Sequence, residues 1–106
     1  MSRWYHVGKL DDIADASSVL LVTEEGHPVA VWRLADGRLY ATDNRCSHYF
    51  SSLHEVGTLS GSEVTCLTHE ARFDVTTGAP LCPPARLPLM TYEITIDADR
   101  QVYVRV

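Results

Sequence analysis

Two short motifs constrain the fold of this chain more than any other feature. Cys46 and His48 form a Cys-x-His motif, and Cys66 and His69 form a Cys-x-x-His motif. The two motifs are separated by residues 49–65. Together they supply two thiolates and two imidazoles, which is a complete four-ligand set for a metal centre. The fold must therefore bring two separate loops to one point.

The pairing of the ligands favours an iron–sulfur cluster over zinc. A Rieske [2Fe–2S] centre has two thiolates on one iron and two imidazoles in place of thiolates on the other. We therefore expect one cluster per chain, with Cys46 and Cys66 on one iron and His48 and His69 on the other. Zinc also accepts two cysteines and two histidines, but its sites usually pair Cys-x-x-Cys with His-x-x-x-His. A zinc-stabilised binding module is the minority alternative.

Composition and charge narrow the class of protein. The 106 residues, 45% of them hydrophobic, fit one domain spanning 1–106. A net charge of −5 disfavours nucleic acid and anionic membranes as partners and permits docking onto a basic patch of another protein. No apolar stretch approaches the ~20 residues of a membrane span, and no signal peptide is visible, so we expect a cytoplasmic location. We also expect a monomer. Three cysteines, an odd number, argue against a disulfide framework.

Alternation of apolar and polar residues predicts an all-β fold. An Asp36-Gly37 pair between two apolar segments is a strong hairpin signal. Leu10 to Ser18 is expected to form no more than a single turn, and Trp4 and Trp32 are predicted core residues. The predicted strands are Trp4 to Lys9, Val19 to Thr23, Pro28 to Leu34, Leu39 to Asp43, Met90 to Asp97 and Gln101 to Val106.

The segment 44–88 differs in composition from the rest of the chain. It is rich in Ser, Thr, Gly, Pro, Cys and His, with short apolar islands at Val64-Thr65 and at 73–75. This composition predicts loops carried on short strands. The whole chain is therefore interpreted as one antiparallel β domain with a loop-rich insertion.

Several segments resemble those of a known family. They are DGRLYATDNRCSH at 36–48, VTCLTHEARFDVTTG at 64–78 and PPA at 83–85, together with Leu53 and Gly57. With its paired cysteine–histidine motifs, the chain resembles the Rieske-type ferredoxins of bacterial multicomponent aromatic ring-hydroxylating dioxygenases. The resemblance implies the Rieske fold, an antiparallel β-sandwich base with a small cluster-binding subdomain at approximately 45–85.

The resemblance also implies a function. Such ferredoxins take one electron from a flavin-containing reductase and pass it to a terminal Rieske oxygenase, and they transform no substrate themselves. We therefore expect an electron carrier and not an enzyme. The alternative is the Rieske-like small subunit of a larger oxidoreductase such as nitrite reductase.

The resemblance carries expectations for the cluster's surroundings. High-potential Rieske proteins of respiratory complexes place a Ser and a Tyr five and seven residues after the second cysteine. Here Ala71 and Phe73 stand at those positions, which predicts a low reduction potential. Glu70 replaces the usual Gly and is interpreted as a solvated loop acid. Cys82, in a proline-rich loop, is interpreted as a packing thiol and not as a ligand.

The remaining expectations concern the surface. The two ligand histidines are predicted to be exposed at the tip of the domain, where an apolar rim would dock onto the oxygenase. His54, six residues after the first motif, is interpreted as a surface histidine, with a position flanking the cluster as the alternative. His6 and His27 are assigned no role. The predicted rim consists of Tyr49, Phe50, Leu67 and Pro84.

Overall fold

The computed structural model describes residues 3–45, 52–66, 71–82 and 87–106. Within these ranges it has one turn of 3-10 helix at Leu10–Asp12 and one short helix, α1, at Leu53–Val56. The strands are β1 (Trp4–Lys9), β2 (Ser17–Val22), β3 (Pro28–Arg33), β4 (Leu39–Asp43), β5 (Gly57–Ser60), β6 (Glu63–Cys66), β7 (Arg72–Asp74), β8 (Pro80–Cys82), β9 (Thr91–Ile96) and β10 (Gln101–Arg105).

The base of the molecule is a six-stranded antiparallel sheet in the order β1-β10-β9-β4-β3-β2. Strands β4 and β9 are paired over a short stretch, Ala41 with Tyr92 and Thr42 with Thr91. This short seam lets the sheet fold over into two three-stranded halves. Apolar side chains from both halves pack between them, with Ala41 from one half and Val104 from the other in one buried cluster. The predicted all-β fold with an antiparallel base is confirmed.

A second antiparallel sheet, in the order β5-β6-β7-β8, is inserted between β4 and β9. The chain leaves the base after Asp43 and returns at Met90, and the Asp43 amide donates a hydrogen bond to the Met90 carbonyl oxygen at 2.9 Å. The second sheet spans 57–82 and lies inside the predicted subdomain. The predicted boundaries, one domain at 1–106 and a subdomain at approximately 45–85, stay a prediction.

Strand β3 belongs to both cores of the molecule. Val29 and Val31 pack into the interior of the base. Ala30 and Trp32, which alternate with them, pack against the second sheet. A strand buried on both faces reads as a continuous apolar run, as PVAVW does here. The cluster between the sheets, called the inter-sheet cluster below, contains Ala30, Trp32, Leu34, Leu53, Val64, Cys66, Ala71, Phe73, Val75 and Leu89.

Most predicted strands are present, and one core prediction is wrong. β1 and β4 have the predicted bounds, whereas β2 begins earlier, at Ser17. Trp32 is 2% exposed, as predicted for a core residue, but Trp4 is 42% exposed. Trp4 lies on β1, an edge strand of the base, and its indole is flanked by the Arg105 guanidinium 5.6 Å from the ring centroid.

Candidate metal centre

The first ligand motif lies on a loop with a closed stem. β4 ends at Asp43, and Arg45 then forms an antiparallel bridge with Ser52. One residue further out on each side, the Leu53 amide donates to the Asn44 carbonyl oxygen at 2.7 Å. These contacts join the segment after β4 to the start of α1, on either side of residues 46–51 in sequence. Cys46 and His48 themselves lie outside the described residues.

The second ligand motif begins at the end of a β-hairpin. Strands β6 and β7 pair as far as Thr65 and Arg72. The Cys66 amide then donates to the Ala71 carbonyl oxygen at 2.8 Å, and residues 67–70 connect these two strand ends in sequence. Cys66 is fully buried at the base of the loop. His69 lies outside the described residues.

The two stems meet at one place in the fold. Leu53, which follows the first loop, packs in the inter-sheet cluster with Cys66 and Ala71, which bound the second loop. Gly57 pairs with Cys66 across β5 and β6. A Cβ atom at Gly57 would overlap the Leu53 carbonyl oxygen, and it would lie 2.8 Å from Cγ2 of Val64. Glycine therefore allows α1 and β6 to approach closely enough to bring the stems together.

The end of strand β8 lies beside the hairpin that bears the second motif. The Arg72 guanidinium donates from Nε to Sγ of Cys82 at 3.3 Å, where β8 pairs with β7. Hydrogen bonding to Cys82 raises the pKa of Arg72. Leu81 and Leu87 are exposed on either side of residues 83–86. These contacts place Cys82 beside the second hairpin, and its predicted role as a packing thiol stays a prediction.

Sequence reasoning missed two polar residues at the first stem. Asn44 is 3% exposed, and its carboxamide bonds with Ser52 and with the backbone of His54. His54, interpreted as a surface histidine, is half-buried, and its Nδ1 lies 2.7 Å from Oγ of Ser18. The roles of these side chains follow from their hydrogen-bond partners. The sequence alone does not show those partners, because a residue such as Ser18 is distant along the chain.

His27, which the sequence left without a role, belongs to a polar network at the end of β4. Its Nε2 lies 2.9 Å from Oδ1 of Asp43 and 2.8 Å from the Tyr92 hydroxyl. That hydroxyl donates to Asp43 Oδ1 at 2.5 Å. Burial, followed by this bond to the carboxylate, raises the pKa of Tyr92 above its ordinary value. The network joins the residue before β3 to the end of β4 and to β9, just before the chain reaches the first ligand motif.

The donor set fits an iron–sulfur cluster. Each of two closed stems carries one thiol and one imidazole, and the stems converge on a single apolar cluster. Within 3–45, 52–66, 71–82 and 87–106 no three His, Cys, Asp or Glu side chains are grouped to hold a metal ion. Of the four motif residues, only Cys66 lies within the described part of the chain. The predicted docking rim, Tyr49, Phe50, Leu67 and Pro84, also lies outside the described residues.

Comparison with known proteins decides the family. Residues 3–93 match the Rieske [2Fe-2S] domain. The chain belongs to the Rieske [2Fe–2S] family. The ferredoxin component of the naphthalene 1,2-dioxygenase system of Pseudomonas putida is 39% identical to this Rieske protein over 95 residues, which cover 90% of the chain and 88% of the relative.

Solved structures agree with this family. One is a chain of the carbazole 1,9a-dioxygenase complex of reduced oxygenase and oxidised ferredoxin, with a TM-score of 0.88 and 34% identity, covering 95% of this chain and 91% of that one. A putative NADH-dependent nitrite reductase small subunit from Mycobacterium tuberculosis has a TM-score of 0.87 and covers 100% of this chain and 96% of that one. Its identity is 18%, so it shows the fold alone.

The family and its relatives confirm the main predictions from the sequence. The protein has the Rieske fold and carries a Rieske [2Fe–2S] cluster. It is a ferredoxin-type electron carrier and not the catalytic oxygenase of a dioxygenase system. The described residues contain no helix long and apolar enough to cross a bilayer.

Proposed function

We propose that this Rieske ferredoxin carries one electron from a flavin-containing reductase to a terminal aromatic ring-hydroxylating oxygenase. The observation that carries the proposal is the convergence of two closed ligand-loop stems on one apolar cluster. Support for the partner comes from the carbazole 1,9a-dioxygenase relative, whose solved structure is a complex of oxygenase and ferredoxin.

We assign the cluster ligands to the two motifs. Cys46 and Cys66 would hold one iron, and His48 and His69 would hold the other. When bound, the cluster supplies reversible one-electron chemistry, and imidazoles in place of two thiolates raise its potential above that of an all-cysteine cluster. The chain's own contribution is to present the four side chains from stems fixed by β4 and α1 on one side and by β6 and β7 on the other.

The proposal includes the organisation and location of the protein. The chain would act as one Rieske domain at 1–106, with a cluster-binding subdomain at approximately 45–85. It would work as a cytoplasmic monomer. The net charge of −5 suits docking onto basic surfaces of the reductase and the oxygenase.

The ligand assignment is tested by single substitutions with a matched cysteine control. Cys46→Ser and His69→Ala are expected to abolish the rhombic EPR signal of the dithionite-reduced protein and to lower bound iron and acid-labile sulfide. Cys82→Ser is the control, because Cys82 lies beside the β6–β7 hairpin that bears the second motif but is not assigned as a ligand. Normal cluster content in Cys46→Ser, or loss of the cluster in Cys82→Ser, would contradict the assignment.

The carrier role is tested with purified partners. NADH, the flavin reductase and the terminal oxygenase of a naphthalene-type dioxygenase system are mixed with and without this protein, and reduction of the oxygenase's Rieske centre is followed by its visible spectrum. Reduction is expected only when the cluster-loaded protein is present. Absence of reduction, combined with co-purification of the native protein with a large reductase subunit, would favour the alternative of a small subunit in a larger oxidoreductase.

A further inference from the structure

Asn44 is a polar side chain buried at the entrance to the first ligand loop. It lies two residues before Cys46 and is 3% exposed. A buried carboxamide is costly unless its donor and acceptor atoms are both bonded. The hydrogen bonds that Asn44 makes with the described residues join the segment before loop 46–51 to the segment after it, or join that segment to the base.

Four hydrogen bonds to residues that the structure describes fix Asn44. Its amide donates to the Pro28 carbonyl oxygen on β3 at 3.2 Å, and its carbonyl oxygen accepts from the Leu53 amide at 2.7 Å. From the side chain, Nδ2 donates to Ser52 Oγ at 2.8 Å and Oδ1 accepts from the His54 amide at 2.8 Å. Asn44 thus ties the start of the loop to its end and ties both to β3.

The side-chain bond to His54 replaces a missing helix cap. Helix α1 has Ser52 at its N-cap, but the Ser52 side chain makes no capping bond. The first amides of a helix have no partner within the helix. Asn44 Oδ1 satisfies one of them from a different segment, while the His54 ring reaches Ser18 on β2. The end of the loop is therefore anchored to the base at two points.

The side chain at position 44 must accept from the His54 amide and share one hydrogen bond, in either direction, with the Ser52 hydroxyl. Asparagine does this directly. Aspartate has no donor, but the Ser52 hydroxyl can rotate and donate to it, so both bonds survive. Leucine has a similar shape and makes neither bond. Comparing asparagine, aspartate and leucine at position 44 therefore separates the effect of the hydrogen bonds from the effect of packing.

We propose that Asn44 is a positioning residue for the cluster: its carboxamide clamps both ends of loop 46–51 and thereby fixes Cys46 and His48 relative to Cys66. The proposal rests on the ligand assignment made above. Asn44 acts through the ligands and is not itself one of them. Outer partners of this kind typically change metal affinity by about 10-fold to 100-fold when removed.

The test compares Asn44→Leu and Asn44→Asp with Thr42→Val. Thr42 is a matched control because it is buried on β4, two residues before Asn44, and accepts a hydrogen bond from Trp32 Nε1 at 2.9 Å, away from the loop. Asn44→Leu is expected to lose iron to a chelator about 10-fold to 100-fold faster than the unchanged protein and to shift its EPR g values and reduction potential. Thr42→Val is expected to lower the thermal midpoint without moving the g values or the potential.

Asn44→Asp is expected to retain the cluster nearly as well as the unchanged protein, because Ser52 takes over the donor role. This retention should disappear in the double variant Asn44→Asp/Ser52→Ala, because position 52 then supplies no donor to the carboxylate. The double variant also decides the question if Asn44→Leu yields no folded protein. Unchanged cluster retention in the double variant, or g values in Asn44→Leu equal to those of Thr42→Val, would overturn the proposal.

Failure of this proposal is distinguishable from failure of the proposed function. Normal electron transfer with an unaltered EPR spectrum in the Asn44 variants would remove the clamp and leave the carrier role intact. A shifted spectrum in a protein that does not reduce the oxygenase would keep the clamp and remove the proposed partner. An intact cluster in Cys46→Ser would remove the ligand assignment on which the clamp depends.

Discussion

At the scale of single residues, the network of Tyr92, Asp43 and His27 links protonation to stability. The Tyr92 hydroxyl is a donor to Asp43, and ionisation would place a phenolate beside a carboxylate. Burial and this hydrogen bond therefore raise the pKa of Tyr92 in the folded protein above the value of about 10 expected for an unfolded chain. A raised pKa means that the folded state holds its proton more tightly than the unfolded state, so this stabilisation is complete below pH ~10 and is lost as pH rises further.

We therefore predict that Tyr92→Phe changes how stability depends on alkaline pH. The free energy of unfolding of the unchanged protein should fall above pH ~10, whereas that of Tyr92→Phe should fall less steeply. Urea denaturation of both proteins at neutral pH and at several values above pH ~10 measures the two slopes. Tyr103→Phe is the matched control, because Tyr103 has no hydrogen bond to a carboxylate among those found in the described residues. Parallel slopes for the unchanged protein and Tyr92→Phe would contradict the prediction.

The sequence reveals residues whose role depends on nearby positions and hides those whose partners are distant. Cys46 and His48 are recognisable because the two members of the motif are only one residue apart. Asn44 and His54 are not, because their roles come from contacts that only the fold creates. Trp4 was wrongly predicted as core because its hydrophobicity says nothing about its place on an edge strand.

At the scale of elements, two glycines with similar backbone angles have different surroundings. Gly78 has φ +80° and Gly26 has φ +83°, values that L-residues rarely adopt. A Cβ atom at Gly26 would meet no heavy atom within 4 Å, whereas one at Gly78 would overlap the Leu89 carbonyl oxygen. The Gly78 carbonyl oxygen also accepts from the Leu89 amide at 2.8 Å, which closes the segment 79–88.

We predict that Gly78→Ala is more destabilising than Gly26→Ala. Both should lose about 1–2 kcal/mol from the left-handed backbone conformation. Gly78→Ala should lose roughly a further 1–3 kcal/mol from the forced separation of Gly78 and Leu89. Chemical denaturation of the two variants gives the comparison, with Gly26→Ala as the control for backbone angle alone. Equal losses of unfolding free energy in the two variants would contradict the prediction, because the segments of Gly78 and Leu89 would then separate without an energetic cost.

Elements were predictable in proportion to their length and regularity. The alternating pattern of β10 agrees with the burial of Val102 and Val104, and the Asp36-Gly37 turn correctly placed the β3–β4 hairpin. Helix α1 was missed because four residues are too few for a helical period. Strands such as β7 and β8, three residues each, are likewise too short for alternation to be recognised.

At the scale of the whole molecule, the core composition beside the second ligand loop bears on the reduction potential. Ala71 and Phe73 are fully buried in the inter-sheet cluster, and neither has a hydroxyl group to stabilise a reduced cluster. We predict a potential near the low end of the Rieske range, about −150 mV and not about +300 mV. Protein-film voltammetry measures it directly. A value well above 0 mV, within that range of about −150 to +300 mV, would contradict the prediction.

The seam between β4 and β9 has a consequence for how such molecules can be rebuilt. The chain leaves at Asp43 and returns at Met90, and one backbone hydrogen bond joins the two points. Domain insertions succeed where the two ends of the inserted piece lie side by side. The segment 44–89, which contains both ligand motifs, should therefore be transferable between related bases. The recipient's β3 would need small and aromatic side chains that match Ala30 and Trp32. The assigned ligands and the predicted docking rim both lie between Asp43 and Met90, so redox properties and partner surface would be exchanged together.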